Sequence, residues 1–362
     1  MVRWRSGTVT ALRRRWNGAV ELDTVVDGQP MRALAYPHLV GEPEPGDRVL
    51  LNVTALLMGL GTGGFALVVA IPDRLPADPP GGHGRDGGHL VKARYTPLQA
   101  VVLGVDEEAS PHRPVLADAD DLAGMPVVTA DLHSALPAIV AGALADRPRL
   151  RIAYVMTDGG ALPAGFSRTL AGLSGVLAGT VTVGQCFGGD LEATTTHTGL
   201  LAARHVLGAD LVVVTQGPGN SGAGTRWGFS GVGVGEAVNA TAVLGGRAVG
   251  ALRVSAADPR ARHQGLSHHS VTAYGRVALA AADLVVPHGL PAGLAADVDA
   301  ALAPLTMPDG HHRRVTVPVD GLDAALRASP VPLSSMGRDL DADHTYFLTN
   351  AAAGRHGAAL AG

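Results

Sequence analysis

Sulfur is nearly absent from this sequence outside methionine. Its single cysteine, Cys186, excludes an internal disulfide framework and a cysteine-only structural zinc site. Aromatic residues are scarce at 4%, so any core must be built from Ala, Val and Leu. Charge is sparse too: 17% of residues are Asp, Glu, Lys or Arg, and the formal net charge is −4. The one dense basic run, Arg13–Arg15, reads as a solvated strand face, so nucleic acid is not expected as a partner. No uninterrupted apolar run approaches the roughly 20 residues that span a bilayer. The opening MVRWRSGTVT lacks the apolar stretch of a signal peptide. The expectation is a soluble cytoplasmic protein without a membrane partner. What is present is an apolar share of 46% in 362 residues, enough for a substantial core and two domains.

Residues 1–108 read as β. Gly7–Leu12, Ala19–Val26, Met31–Tyr36, Arg48–Val53, Phe65–Ile71 and Leu90–Val105 are short Val-, Leu- and Thr-rich runs. Asn17-Gly18 and Asp27-Gly28 between them are hairpin signals, and a small barrel-like domain accommodates the set. Residues 72–88, rich in Pro, Gly and Asp, are expected to form a mobile surface loop. From 112 to 350 the pattern becomes strand–helix alternation. Pro126–Ala130, Arg151–Thr157, Thr180–Val183, Asp210–Thr215, Ala248–Val254 and Asp283–Pro287 are continuous apolar runs, as in strands buried on both faces. Helical segments lie between them at Leu136–Asp146, Phe166–Leu177, Thr196–Leu207, Gly235–Leu244 and Ser270–Ala281. The predicted fold class is therefore α/β: a mostly parallel, doubly wound sheet preceded by a small barrel-like domain. Arg314–Val319 reads as an edge strand, Asp341–Ala351 as a last helix, and 351–362 as a fraying tail.

The polar residues of the second half fall just after predicted strand ends: Asp131 and His133, Asp158, Asp190, then Arg260, Arg262, His263, His268 and His269. In a parallel sheet those ends share one edge, where α/β proteins place ligands. Loops on the opposite edge are short and plain. Thr215–Glu236 is dense in glycine. Its Gly217-Pro-Gly219-Asn220-Ser-Gly matches the dinucleotide pattern literally, but no helix follows at once and Pro218 removes a donor. A loop closing over a small anionic ligand fits better, with Gly217, Gly219, Asn220, Thr225 and Ser230 as its contacts and Glu236 orienting it. Adjacent His268 and His269 are expected to point in different directions, so one of them with His263 and a carboxylate from Asp131, Asp158 or Asp190 would make a mixed nitrogen–oxygen site for a divalent metal. The same side chains would also serve as acid–base groups, with Arg260 and Arg262 clamping an anion, or simply cap the helix Ser270–Ala281, where Ser270 or Ser267 could bond the first amides. Asp190 reads equally as acid, ligand or N-cap. Cys186 reads as buried and inert.

Several stretches resemble one bacterial family, domain of unknown function 3866, found in actinobacteria and firmicutes. They are Ala35-Tyr-Pro, Gly46-Asp-Arg-Val-Leu-Leu-Asn52, Arg94-Tyr-Thr-Pro-Leu-Gln99, Asp131-Leu-His-Ser134 and Tyr154-Val-Met-Thr-Asp158. Gly188-Gly-Asp-Leu-Glu192, Ala202–Asp210, Gly224–Gly231 and Ser267-His-His269 continue the likeness. The resemblance implies one unit over nearly the whole chain and supplies no activity. The sequence thus supports an enzyme acting on a small anionic metabolite, with a divalent metal as an option. A ligand sensor without chemistry is the alternative, and homo-oligomerisation is left open.

Overall fold

The computed structural model describes residues 2–78 and 88–362. Of the loop expected to be mobile over 72–88, residues 79–87 lie outside the described residues. Five strands, β1 (Trp4–Trp16), β2 (Ala19–Val26), β3 (Gln29–Ala35), β4 (Arg48–Asn52) and β5 (Ala66–Ala70), close a barrel in the order β1-β2-β3-β5-β4. Asp27 and Gly28 both take positive φ, 50° and 75°, as a tight hairpin turn matched to strand twist requires. Val9, Leu22, Ala33, Val49, Leu51 and Val68 fill the interior. One-turn helices α1 (Pro37–Val40) and α2 (Thr54–Leu57) flank it.

The apolar run Leu90–Val105 is not one strand. It folds into a hairpin of β6 (Leu90–Lys92) and β7 (Ala100–Val102), separate from the barrel. The break has a backbone cause: Ala93 and Tyr95 sit at positive φ, and the Thr96 hydroxyl donates to Ala93 O. The hairpin docks on the second domain, where Ala93 N donates to Gln185 Oε1 and Lys92 Nζ to Gly184 O. A short helix, α3 (Arg113–Leu116), follows.

The second domain is built on eight parallel strands: β8 (Pro126–Thr129), β9 (Ile152–Thr157), β10 (Gly179–Val183), β11 (Leu191–Ala193), β12 (Leu211–Gln216), β13 (Arg247–Ala251), β16 (Asp283–Pro287) and β17 (Arg313–Val317). They lie in the order β11-β10-β9-β12-β8-β13-β16-β17. β17 is the edge strand expected from the sequence; β11 is an edge strand that three residues were too few to announce. Between β13 and β16 a small hairpin, β14 (Val254–Ser255) with β15 (Gly265–Leu266), projects from the sheet.

Helices cover both faces, which is why the central strands are apolar throughout. On one face α4 (Leu136–Asp146) and α11 (His344–Leu360) pack together; on the other lie α6 (Thr196–His205) and α7 (Gly233–Val243). The remaining helices are α5 (Arg168–Leu173), α8 (His268–Thr272), α9 (Ala292–Leu302) and α10 (Leu322–Arg327). The expected helix Ser270–Ala281 starts two residues earlier, passes through a π-turn at Ala273–Val277, and is extended by Ala278.

The tail does not fray after Gly354. Helix α11 runs to Leu360 and buries Gly354, Gly357 and Ala358. Glycine is what lets it approach α4: a Cβ on Gly354 would meet Ile139 O at 1.9 Å, and one on Gly142 would meet Ala351 O at 1.9 Å. Glycine and alanine offer little to anchor a segment in isolation, but paired across a helix interface they give close backbone packing.

The strand order locates a crevice. The chain leaves β8 toward β9 on one side, whereas it leaves β13 toward β16 on the other. Adjacent strands whose connections depart in opposite directions open a gap at their carboxyl ends.

Candidate functional site

Asp131 follows β8, and it is buried with an exposure of 6%. Its Oδ2 lies 3.2 Å from His269 Nδ1 and 3.6 Å from Arg253 Nη1. Burial alone would raise this carboxyl, but the hydrogen bond from His269 and the nearby Arg253 guanidinium outweigh it and hold it below the usual range. Arg253 comes from the segment between β13 and β14, and is itself buried. It reaches on to Asp258 at 3.3 Å. Asp258 also receives Arg260 at 2.7 Å and Arg338 at 3.2 Å.

His263 and His268 complete the group. The ring centroids of His263, His268 and His269 lie 5.0, 4.9 and 4.5 Å apart. Sequence adjacency had suggested that His268 and His269 diverge. They do not: Ser267 caps α8, accepting from His269 N, and both histidines stand in the first turn with ring centroids 4.5 Å apart. The Ser267 hydroxyl also lies 2.7 Å from His263 Nδ1. His263 is pushed down to about 3 by burial and by Arg253 and Arg260. His268 is lowered as well, by burial and then by His269 and Arg262.

The glycine-rich loop folds over this group. Phe229 stacks on His269 with centroids 3.8 Å apart and planes 2° from parallel, and it meets His268 edge-on. Asn220 Nδ2 comes within 3.4 Å of His269 Nδ1, and its Oδ1 accepts from the Ser230 hydroxyl at 2.8 Å. A Cβ on Gly231 would press on Asp131 Cβ at 3.0 Å. Arg262 is exposed and lies against Gly224.

Not every expected residue belongs. Asp190 is on the opposite edge of the sheet: its Oδ2 accepts from Thr180 N at the start of β10. The loop after β10 doubles back before β11, so counting from the preceding strand end misplaced it. Asp158 follows β9 and accepts from Gln185 N, closing a loop away from the histidines. Arg260 is engaged by Asp258 through two hydrogen bonds. The Thr225 hydroxyl accepts from Gly228 N, an intraloop turn. Glu236 points to solvent in the first turn of α7, where it favours the helix dipole. Gly217 is needed for packing, since a Cβ would meet Ala161 O at 2.2 Å; Gly219, at φ +88°, has open space instead.

His133 lies beside the group rather than in it. Its Nδ1 pairs with Tyr154 OH at 3.0 Å and its Nε2 with Ser167 Oγ at 2.7 Å. Burial holds it down at about 4. It lines a cavity of about 290 Å³ with Ser134, Ser167, Gln216, Gly219 and Asn220. Asn220 therefore touches both the cavity and His269. A neutral buried histidine makes stability fall as pH drops through the ordinary imidazole value of about 6.5 and until about 4, because only the unfolded chain takes up the proton in that window. The expected slope from this group is roughly 1.4 kcal/mol per pH unit. His133→Asn should flatten it in urea unfolding at pH 7 and pH 5; an unchanged slope would show that His133 is protonated where it sits.

Three participants were missed from the sequence. Arg253 was absorbed into the apolar run Ala248–Val254, although a lone arginine ending such a strand is itself a signal. Phe229 is one of five phenylalanines, and its place inside a glycine loop could have flagged it. Ser267 was weighed only as a helix cap. Cys186 is inert as expected: it is buried, its thiol lies 3.1 Å from Thr157 O, and burial followed by Asp158 pushes it up to about 12.

The molecule is thus an α/β protein with an N-terminal barrel and a polar, histidine-rich crevice at its switch point. The family model described as Protein of unknown function (DUF3866) matches residues 32–354, and the chain belongs to that family. None of the curated proteins compared matches it. Among the described residues, no helix is long and apolar enough to cross a membrane.

Proposed function

We propose that this protein is a cytoplasmic enzyme that acts on a small anionic metabolite in the crevice beyond β8, β12 and β13. The observation that carries the reading is the convergence of three imidazoles under one loop, flanked by an exposed guanidinium. His263 and His268, held below the usual imidazole range, keep basic lone pairs at neutral pH. Asp131 orients His269 through Nδ1, the arrangement that points the far nitrogen of a histidine base at its proton donor. Arg260 is neutralised by Asp258, which leaves Arg262 to receive the anion. The roof of Asn220, Phe229 and Ser230 excludes water when the ligand is in place.

Titration with inorganic phosphate and with short dicarboxylates, read as a thermal shift, tests this. Arg262→Ala should weaken the binding about tenfold or more, the loss of one charge-assisted hydrogen bond. A wild-type protein indifferent to every anion of this size would overturn the reading.

A ligand sensor is the second reading, and one observation favours it. Gly165 and Phe166, next to the cavity, are docked on the barrel: Trp16 Nε1 donates to Gly165 O at 2.7 Å, and Phe166 packs with Ala19, Leu34, Tyr36 and Phe65. Ligand-dependent Trp16 emission in a Trp4→Phe/Trp227→Phe background, with no turnover of any anion that binds, would select the sensor.

A further inference from the structure

We propose that His263, His268 and His269 are the three protein ligands of a mononuclear site for a divalent transition metal such as zinc or cobalt. The inference deepens the anionic-metabolite reading, since it concerns the same crevice, but it stands on its own geometry. One potential ligand nitrogen from each histidine lies within 4.8 Å of the other two. Nitrogens about 2.0–2.1 Å from a tetrahedral ion sit about 3.4 Å from each other. The separation left to close is therefore at most about 1.4 Å for rings already in one cluster.

The hydrogen bonds around the rings select the nitrogens. The shortest contact of His269 Nδ1 is Asp131 Oδ2 at 3.2 Å, a carboxylate that only accepts, with the donors Asn220 Nδ2 and Arg253 Nη1 farther off at 3.4 and 3.5 Å. The tautomer that satisfies the shortest contact leaves the lone pair on Nε2. Ser267 Oγ lies 2.7 Å from His263 Nδ1 and can accept from it while also accepting from His269 N. In that tautomer the lone pair is again on Nε2. His268 Nε2 is buried and has no hydrogen-bond partner. A polar nitrogen in that state is costly unless something fills its coordination. Two ligands fixed through Nδ1 by a carboxylate and a hydroxyl, and a third with an orphaned Nε2, form the pattern of a metal site with its outer hydrogen bonds in place.

The donor set fits the metal class. Three neutral imidazoles without thiolate suit zinc, cobalt, nickel or copper rather than magnesium or calcium. Three protein ligands leave a fourth position open, the mark of a catalytic rather than a structural site. Arg262 lies on the loop side of His268, so an anion bound at that open position would be held between the ion and a guanidinium. The metal would also supply what the imidazoles alone lack, a way to make hydroxide from water near neutral pH.

The test uses the full-length protein, stripped with a chelator and titrated with cobalt(II). The expected result is one equivalent bound with visible d–d absorption of a four- or five-coordinate ion. Copper(II) bound to the wild-type protein should show three equivalent-type nitrogen couplings in its electron paramagnetic resonance spectrum. His268→Ala removes no hydrogen bond of its Nε2, should keep the fold by circular dichroism, and should lower cobalt affinity at least a hundredfold. Asp131→Asn should weaken it about 10- to 100-fold while the absorption band persists. Wild-type protein that binds no cobalt, or cobalt binding that His268→Ala leaves unchanged, would overturn the site. Phosphate titrations of the stripped and loaded forms separate the two proposals. Metal without anion binding sinks the metabolite reading alone, and anion binding without metal sinks this one alone.

Discussion

Asp258→Ala should destabilise the protein by about 3–5 kcal/mol, the cost of removing one partner from a buried ion pair and leaving the other charge uncompensated. The expectation is at the upper end because three guanidiniums share this carboxylate. Arg260 Nη2, Arg338 Nη2 and Arg253 Nη2 stand 2.7, 3.2 and 3.3 Å from Oδ2, and Asp258 is fully buried. Burial by itself would raise the carboxyl, yet its hydrogen bonds to Arg260 and the field of Arg338 hold it well below the usual carboxylate range. Its contribution is therefore present above about pH 4 and is lost as pH falls toward the folded-state value. Asp258→Asn preserves shape but not charge and should lose nearly as much. Urea unfolding at pH 7 reads both. A loss under about 1 kcal/mol would mean that the arginines escape to solvent instead of confronting one another.

The same substitution should reach the crevice. Arg253 is held between Asp258 and Asp131, and Asp131 fixes His269. Arg338 continues the chain to Asp343 at 2.9 Å, where Ser255 donates to the same oxygen, at the start of α11. The charges beneath the site are therefore mostly consumed in holding one another. Among the described arginines of this cluster, Arg262 is the one left unengaged by Asp258 and lying against the loop, which is why it carries the anion proposal.

How much of this was legible beforehand depended on what kind of information each feature needs. Hairpins at Asn17-Gly18 and Asp27-Gly28 are written in two residues each, and the parallel strands in runs buried on both faces; both survive without knowledge of the fold. The rim at the carboxyl ends of the strands was legible for the same reason, because strand direction alone places Asp131, Gly217–Ser230 and His263–His269 on one edge. What failed needed the path of the chain after a strand. Asp190 was assigned to the rim because it follows β10, but the loop reverses and leaves it at the start of the next strand. His268 and His269 were judged divergent from adjacency, whereas both stand in the first turn of α8 with ring centroids 4.5 Å apart. Helix α11 runs past the expected end because Gly354 packs against the Ile139 carbonyl of α4 and Gly357 against Leu211 and Val128 of the sheet, partners that local pattern does not show. Pairings between remote residues are not encoded in local pattern, and each of these misses is such a pairing.

Lys92 is the chain's only lysine, and its placement gives the second large expectation. A lysine with no exposed surface is unusual. Lys92 has an exposure of 0%, donates to Gly184 O at 2.8 Å, and stands 3.3 Å from Glu192 Oε2. Burial raises the Glu192 carboxyl, with Lys92 opposing that rise. The pair ties the β6–β7 hairpin to the edge of the parallel sheet, alongside the backbone bond from Val105 N to Glu192 O. Lys92→Ala should therefore cost about 3–5 kcal/mol, most of it from the stranded Glu192. Lys92→Met with Glu192→Gln removes both charges while keeping the volume, and should recover most of that loss. The coupling between the two positions, read from the double-mutant cycle in chemical denaturation, should be well above the few tenths expected of independent sites. Hydrogen exchange gives the local counterpart: the Val91 and Val105 amides should lose protection in Lys92→Ala and regain it in the double variant. Additive costs with no recovery would show that the lysine is held by Gly184 O and packing alone, and that the ion pair contributes nothing to docking the hairpin.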